Sequence, residues 1–67
     1  MSDNKLLNIY LDIFSGYIKY KSGGLIELYT PGDYQIYDDF SDLIASIKCT
    51  LKELKNEKME GLENVEL

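Results

Sequence analysis

Leu6-Leu7-Asn8-Ile9-Tyr10-Leu11-Asp12-Ile13-Phe14 is the stretch on which the fold turns. Its odd positions, Leu7, Ile9, Leu11 and Ile13, are all aliphatic, whereas its even positions are mixed. A period of two is the pattern of a half-buried strand, so the stretch reads as the first strand of a sheet. Ser15-Gly16 follows as a two-residue hairpin turn, with Gly16 able to take the positive φ that such turns require. Folding the chain there sets Phe14 opposite Tyr17, Ile13 opposite Ile18, Asp12 opposite Lys19 and Leu11 opposite Tyr20. Each pair matches in character, which favours the pairing.

Working outward, Ser22-Gly23-Gly24 fits a three-residue loop. That loop places Tyr20 against Ile26, Lys19 against Glu27, Ile18 against Leu28 and Tyr17 against Tyr29. Thr30-Pro31-Gly32-Asp33 is the next turn. A three-residue loop over 31–33 would bring Ile36 beside Leu28 on the aliphatic face. The expected sheet is a four-stranded antiparallel meander over residues 6–14, 17–21, 25–30 and 34–37.

A helix closes the pattern. Asp38 and Asp39 are N-cap residues and Asp42 falls in the first turn, where the helix dipole favours an anion. Phe40, Leu43, Ile44, Ile47, Leu51 and Leu54 form an apolar stripe at helical spacing, and Gly61 is a stop signal. The expected fold class is α+β: a four-stranded antiparallel meander with one C-terminal helix packed on one face, ββββα. Residues 1–61 form the single domain and residues 62–67 an acidic C-terminal tail.

One helix covers one sheet face. The aliphatic face receives it, leaving a second face with Tyr10, Phe14, Tyr17, Leu25, Tyr29 and Tyr37 around an Asp12–Lys19–Glu27 ladder. Tyrosine combines apolar area with a polar handle and is enriched at interfaces, so this face reads as a binding face. Asp33, Asp38, Asp39 and Asp42 join Asp12 and Glu27 as candidate acidic contacts around it.

Composition narrows the function. The chain has 67 residues, with twelve carboxylates against seven lysines and a formal charge of −5. It contains no arginine, histidine or tryptophan. There is therefore no imidazole base, no His-ligated metal site and no bidentate guanidinium for phosphate. The single Cys49 excludes an internal disulfide and any paired-cysteine site, and without an activating neighbour it reads as incidental. The Asp38, Asp39 and Asp42 spacing can hold Mg²⁺ elsewhere, but the same residues serve here as helix-start chemistry. Lys48, Lys52 and Lys55 follow one helix flank and read as a solvated, dipole-complementing strip. No metal or cofactor is called for.

The sequence thus points to a small, acidic, non-enzymatic protein-binding module that docks a basic surface on a larger protein. Virus- and mobile-element-encoded inhibitors, including DNA mimics, offer a class-level parallel without a shared motif. A domain this short buries only about 60% of its unfolded surface, and self-association commonly supplies the missing stability, so a homodimer is also expected. Two alternatives stand beside this reading: a compact ββββα single-stranded nucleic-acid binder, and a purely structural homodimeric domain. Net negative charge without arginine argues against nucleic acid and against anionic membranes. With no signal-type leader and no apolar run of spanning length, the expected location is the cytoplasm, the host's if the source is viral.

Overall fold

The computed structural model describes residues 2–67. The stretch from Leu6 to Phe14 is helical, not extended. It belongs to α1, Asp3–Phe14, whose N-cap Ser2 accepts a hydrogen bond from the Lys5 amide through its side chain (3.3 Å). Asp3 stands in the first turn, where an anion complements the helix dipole. The same apolar residues that alternate along a strand also form a helical face, and that face buries Leu6 and Leu7. Ser15 ends the helix in the left-handed region (φ 53°), donating its amide to the Leu11 carbonyl. Ser15-Gly16 is therefore a helix C-cap, not a hairpin turn, and none of the four cross-strand pairs expected around it exists.

Three strands remain: β1, Tyr17–Tyr20; β2, Ile26–Thr30; and β3, Asp33–Tyr37. They pair antiparallel in the order β1-β2-β3. A short 3-10 turn, Ser22–Gly24, joins β1 to β2, with Gly23 and Gly24 both at positive φ. The β1–β2 register is Tyr17 with Tyr29, Ile18 with Leu28, Lys19 with Glu27 and Tyr20 with Ile26, as expected from the three-residue loop. The β2–β3 register is not the expected one. Leu28 faces Gln35, Tyr29 faces Tyr34 and Thr30 faces Asp33, so the loop is Pro31-Gly32 alone, with Gly32 at φ 79°. A one-residue shift exchanges the faces of a whole strand. Ile36 consequently lies opposite Glu27 and is exposed, whereas Tyr37 turns to the helix-covered side opposite Ile26.

The second helix, α2, runs Phe40–Asn56. Asp39 is its N-cap, accepting from the Asp42 amide at 2.9 Å. Its stripe buries Leu43, Ile44, Ile47 and Leu51, with Phe40 and Leu54 packed at the margin, and Cys49 is exposed. The helix stops before Gly61: Lys58 adopts φ 60°, and the Lys58 and Met59 amides return to the carbonyls of Lys55 and Leu54.

Over the described residues the architecture is therefore three antiparallel strands and two helices, with helix α1 ahead of the sheet, in place of four strands and one C-terminal helix. One buried cluster joins Leu6 and Leu7 of α1, Ile26 and Leu28 of β2 and the α2 stripe. Asp3 and Lys48 form an ion pair across the two helices (3.7 Å). Leu62 and Val65 complete this cluster at 1% and 5% exposure. The C-terminal segment is thus solvated through Glu60, Glu63 and Glu66, while its apolar residues are part of the core. Among the described residues, no helix is long and apolar enough to cross a membrane.

Candidate functional site

Both helices contribute to the same buried cluster as Ile26 and Leu28, so the opposite face of the sheet, pointing away from that cluster, carries the candidate site. Alternation puts Tyr17 and Lys19 of β1, Glu27 and Tyr29 of β2, and Tyr34 and Ile36 of β3 there. Three tyrosine rings form a continuous row across the strands. Tyr17 stacks on Tyr29 with centroids 4.9 Å apart and planes 12° from parallel. Tyr34 meets Tyr29 from the other side, also at 4.9 Å, tilted by 51°. Tyr17, Tyr34 and Ile36 are each about half exposed, at 53%, 47% and 54%. The Lys19 ammonium lies over the Tyr17 and Tyr29 rings, 6.0 and 5.6 Å from their centroids, where the ring quadrupole attracts a cation.

Glu27 anchors the row. It is the one buried charged residue among those described, at 6% exposure. Tyr34 donates its hydroxyl to Glu27 Oε2, and the Lys21 ammonium forms an ion pair with Oε1 at 3.6 Å. The Tyr34 hydrogen bond holds the Glu27 carboxyl below its ordinary range; burial opposes this, and the Lys21 charge reinforces it. The same hydrogen bond pushes the Tyr34 phenol up to about 12, helped by burial and the carboxylate's charge. Tyr29 is also raised, first by burial and then by Glu27. The carboxylate therefore ties down the hydroxyl end of the Tyr34 ring, which remains about half exposed.

The sequence-derived binding face is divided by the structure. Tyr17 and Tyr29 belong to the outer row. Tyr10 and Phe14 are in contact with each other (4.6 Å), but on α1 rather than on the sheet. The alternation of Leu7, Ile9, Leu11 and Ile13 places both on a sheet, and the helical course of that stretch removes them from it. Tyr37 turns inward because of the one-residue register shift, donates to Gln35 and is hydrogen-bonded to Ser46 of α2 (3.0 Å). Burial, then the Tyr37 phenol and the Asp33 carboxylate, raise the Tyr10 pKa, so Tyr10 lies near the inner side of β3. Leu25 precedes β2 and is 37% exposed.

The acidic contacts are also dispersed. Asp12 is exposed on α1, so only the Lys19–Glu27 half of the expected ladder exists. Asp33 opens β3, while Asp38, Asp39 and Asp42 follow its far end. Asp38 lies five strand steps beyond Asp33, about 16 Å, so these carboxylates do not surround one end of the sheet. Tyr34 and Ile36 were absent from the expected site. Their signal was the Pro31-Gly32 pair itself, since Pro followed by Gly is the signature of a type II turn with a two-residue loop.

Among the described residues, no group of three or more Asp, Glu or Cys side chains is arranged to hold a metal ion. Comparison with protein-family models, curated proteins and solved structures returned no match.

Proposed function

We propose that the protein is a non-enzymatic binding module whose outer sheet face docks a basic surface of a larger protein. The observation that carries this reading is the uncovered Tyr17–Tyr29–Tyr34 row, flanked by exposed Ile36. The rings offer rigid contact area with few rotamers to immobilise, the property that makes tyrosine effective at interfaces. Lys19 rests over two of the rings, an arrangement in which the ring quadrupole attracts a cation, and a partner's lysine or arginine would compete with Lys19 for those faces. The net charge of −5 steers such a partner toward the chain, and the exposed carboxylates of Asp33, Asp38, Asp39 and Asp42 extend the field beyond the row.

The test is a paired capture with wild type and the double variant Tyr17→Ser, Tyr34→Ser, each shown to be folded by circular dichroism. A basic partner retained by wild type, released with rising salt and lost by the folded variant is the expected result. Tight binding of single-stranded oligonucleotide at moderate salt, or a partner retained equally by both proteins, overturns the reading.

A further inference from the structure

The two edges of the sheet are unlike. The edge strand β1 carries Lys19, with Lys21 immediately beyond it, and lysine is a common guard against edge-to-edge pairing. The other edge strand, β3, has no charge from Tyr34 to Tyr37, and all four residues over 33–36 are exposed. Its sequence, with two tyrosines and an isoleucine, has strong strand propensity.

The backbone of that edge is open in a definite pattern. The two-residue loop makes Thr30 and Asp33 a hydrogen-bonded pair, and alternation assigns Leu28–Gln35 and Ile26–Tyr37 to the same class. Tyr34 and Ile36 therefore turn their N–H and C=O groups away from β2. Two contacts agree with this. The Tyr34 amide is bonded to the Asp33 carboxylate at 2.9 Å, and the Tyr29 carbonyl points toward Gly16 on the β1 side, 2.7 Å from where a Cβ would stand.

We propose that β3 pairs antiparallel with β3 of a second copy of this chain, making one six-stranded sheet about a two-fold axis through Gln35. Tyr34 then lies opposite Ile36 of the second copy, and both outward residues use their N–H and C=O in four interchain hydrogen bonds, the Tyr34 amide exchanging its Asp33 carboxylate for the Ile36 carbonyl of the second copy. An aromatic residue faces a β-branched one on the outer face, a favourable cross-strand pair. Charge and strand length select the register: a shift of one place toward the N-terminus would set Ile36 against Gly32 of the loop and forfeit its strand partner. With Tyr34 opposite Ile36, Asp33 faces Tyr37; a shift of one place on each strand toward the C-terminus would set Asp33 against Asp39 and oppose two carboxylates. In a chain of charge −5, the neutral edge is also where a second copy meets least repulsion. Side chains on the outer face stay exposed, so the dimer would present two tyrosine rows on one continuous surface.

Light scattering and sedimentation at high micromolar concentration test this, with twice the monomer mass of 7.7 kDa expected. Ile36→Pro removes an amide that β2 does not use, so the variant keeps the intrachain ladder while deleting two of the four interchain bonds. Its dimer dissociation constant should rise about 100-fold. Ile36→Lys guards the edge without altering the backbone and should also give monomer. Gln35→Cys in a Cys49→Ser background should form an interchain disulfide on mild oxidation, since the Cα atoms of a non-hydrogen-bonded antiparallel pair lie about 4.5 Å apart, inside the range a disulfide spans. Tyr17→Ser, which impairs the outer row, should leave the dimer intact, separating this proposal from the docking face. A monomeric wild type, a dimer that survives both Ile36 variants, or a dimer that Gln35→Cys fails to crosslink overturns it.

Discussion

Replacing Leu62 by Ala asks whether the last six residues are a solvated tail or part of the core. Leu62 is 1% exposed and Val65 5%, and both belong to the cluster that contains Leu43, Ile47 and Leu51. The segment is held by more than contact. The Leu62 amide donates to Met59 and the Val65 amide to Leu62, while Lys55 donates its ammonium to the Val65 carbonyl. Leucine-to-alanine changes at such sites cost about 2–5 kcal/mol, and a position close to a chain end, where neighbours can settle into the space, belongs near the low end, about 2–3 kcal/mol. A 67-residue domain has about 3–10 kcal/mol in total, so the loss is a large share of it. The melting temperature should fall by about 10–20 °C, since each kcal/mol moves a domain of this size by about 4–8 °C. Urea titration followed by circular dichroism should show a lower midpoint with an unchanged slope. Asn64→Ala, at an exposed position in the same segment, is the control and should change little. If Leu62→Ala costs less than about 0.5 kcal/mol, the value ordinary for surface positions, the segment is not packed and the reasoning fails.

Two further outcomes follow from local geometry. Gly16→Ala would place a Cβ 2.7 Å from the Tyr29 carbonyl and 2.9 Å from Thr30 Cγ2, so it should destabilise by about 1–3 kcal/mol in the same titration. Ser15→Gly relieves a left-handed residue at the neighbouring position and should stabilise by about 1 kcal/mol. In alkaline spectrophotometric titration, Tyr34 should ionise near pH 12, and Glu27→Gln should bring it down toward 10. The linked signs are opposite. The contribution of Tyr34 is whole below pH 10 and is lost as pH rises toward 12; that of Glu27 is whole above 4.5 and is lost as pH falls below it. A stability profile flat below pH 4.5 in wild type and Glu27→Gln alike would contradict the Glu27 assignment.

The parts of the fold legible in the sequence are those where only one local arrangement satisfies the residues. The α2 stripe and its Asp39 cap are of this kind, as is the β1–β2 register, where a glycine pair and four matched partners agree. The first helix was not, because Leu6 to Phe14 satisfies two periods. Leu7, Ile9, Leu11 and Ile13 alternate, yet Leu6, Tyr10 and Ile13 also lie on one helical face. What separates the readings lies upstream: Ser2 caps, Asp3 stands in the first turn, and the element is twelve residues long, beyond the usual length of a strand. Ser15-Gly16 misled for a related reason. Small residues with access to the left-handed region serve both hairpins and helix ends, and here it is Ser15 that takes the positive φ. Gly16 is needed instead for its close approach to the Tyr29 carbonyl.

The same limits explain why the tyrosine-rich surface was foreseen while its membership was not. Two of the six residues assigned to it came from the helix mistaken for a strand, and Tyr37 left with the register of β3. That register follows from whether Asp33 belongs to the loop or to the strand. Three loop residues would align Ile36 with Leu28 and satisfy hydrophobic burial by adding an aliphatic to the core. Two loop residues satisfy the turn, with Pro31 followed by Gly32 at φ 79°, and expose Ile36 to do so. The turn prevails because the inner side of β3 gains a different anchor: Tyr37 packs beside Ile26 and reaches Ser46 through its hydroxyl, so the strand is tied to α2 without Ile36. The outer side gains Tyr34, whose hydroxyl gives Glu27 Oε2 a hydrogen bond that an apolar neighbour could not supply, beside the Lys21 ion pair on Oε1. One choice of loop length therefore sets three things together: the third ring of the row, the partner of the buried carboxylate, and the uncharged edge that Ile36 shares with Tyr34.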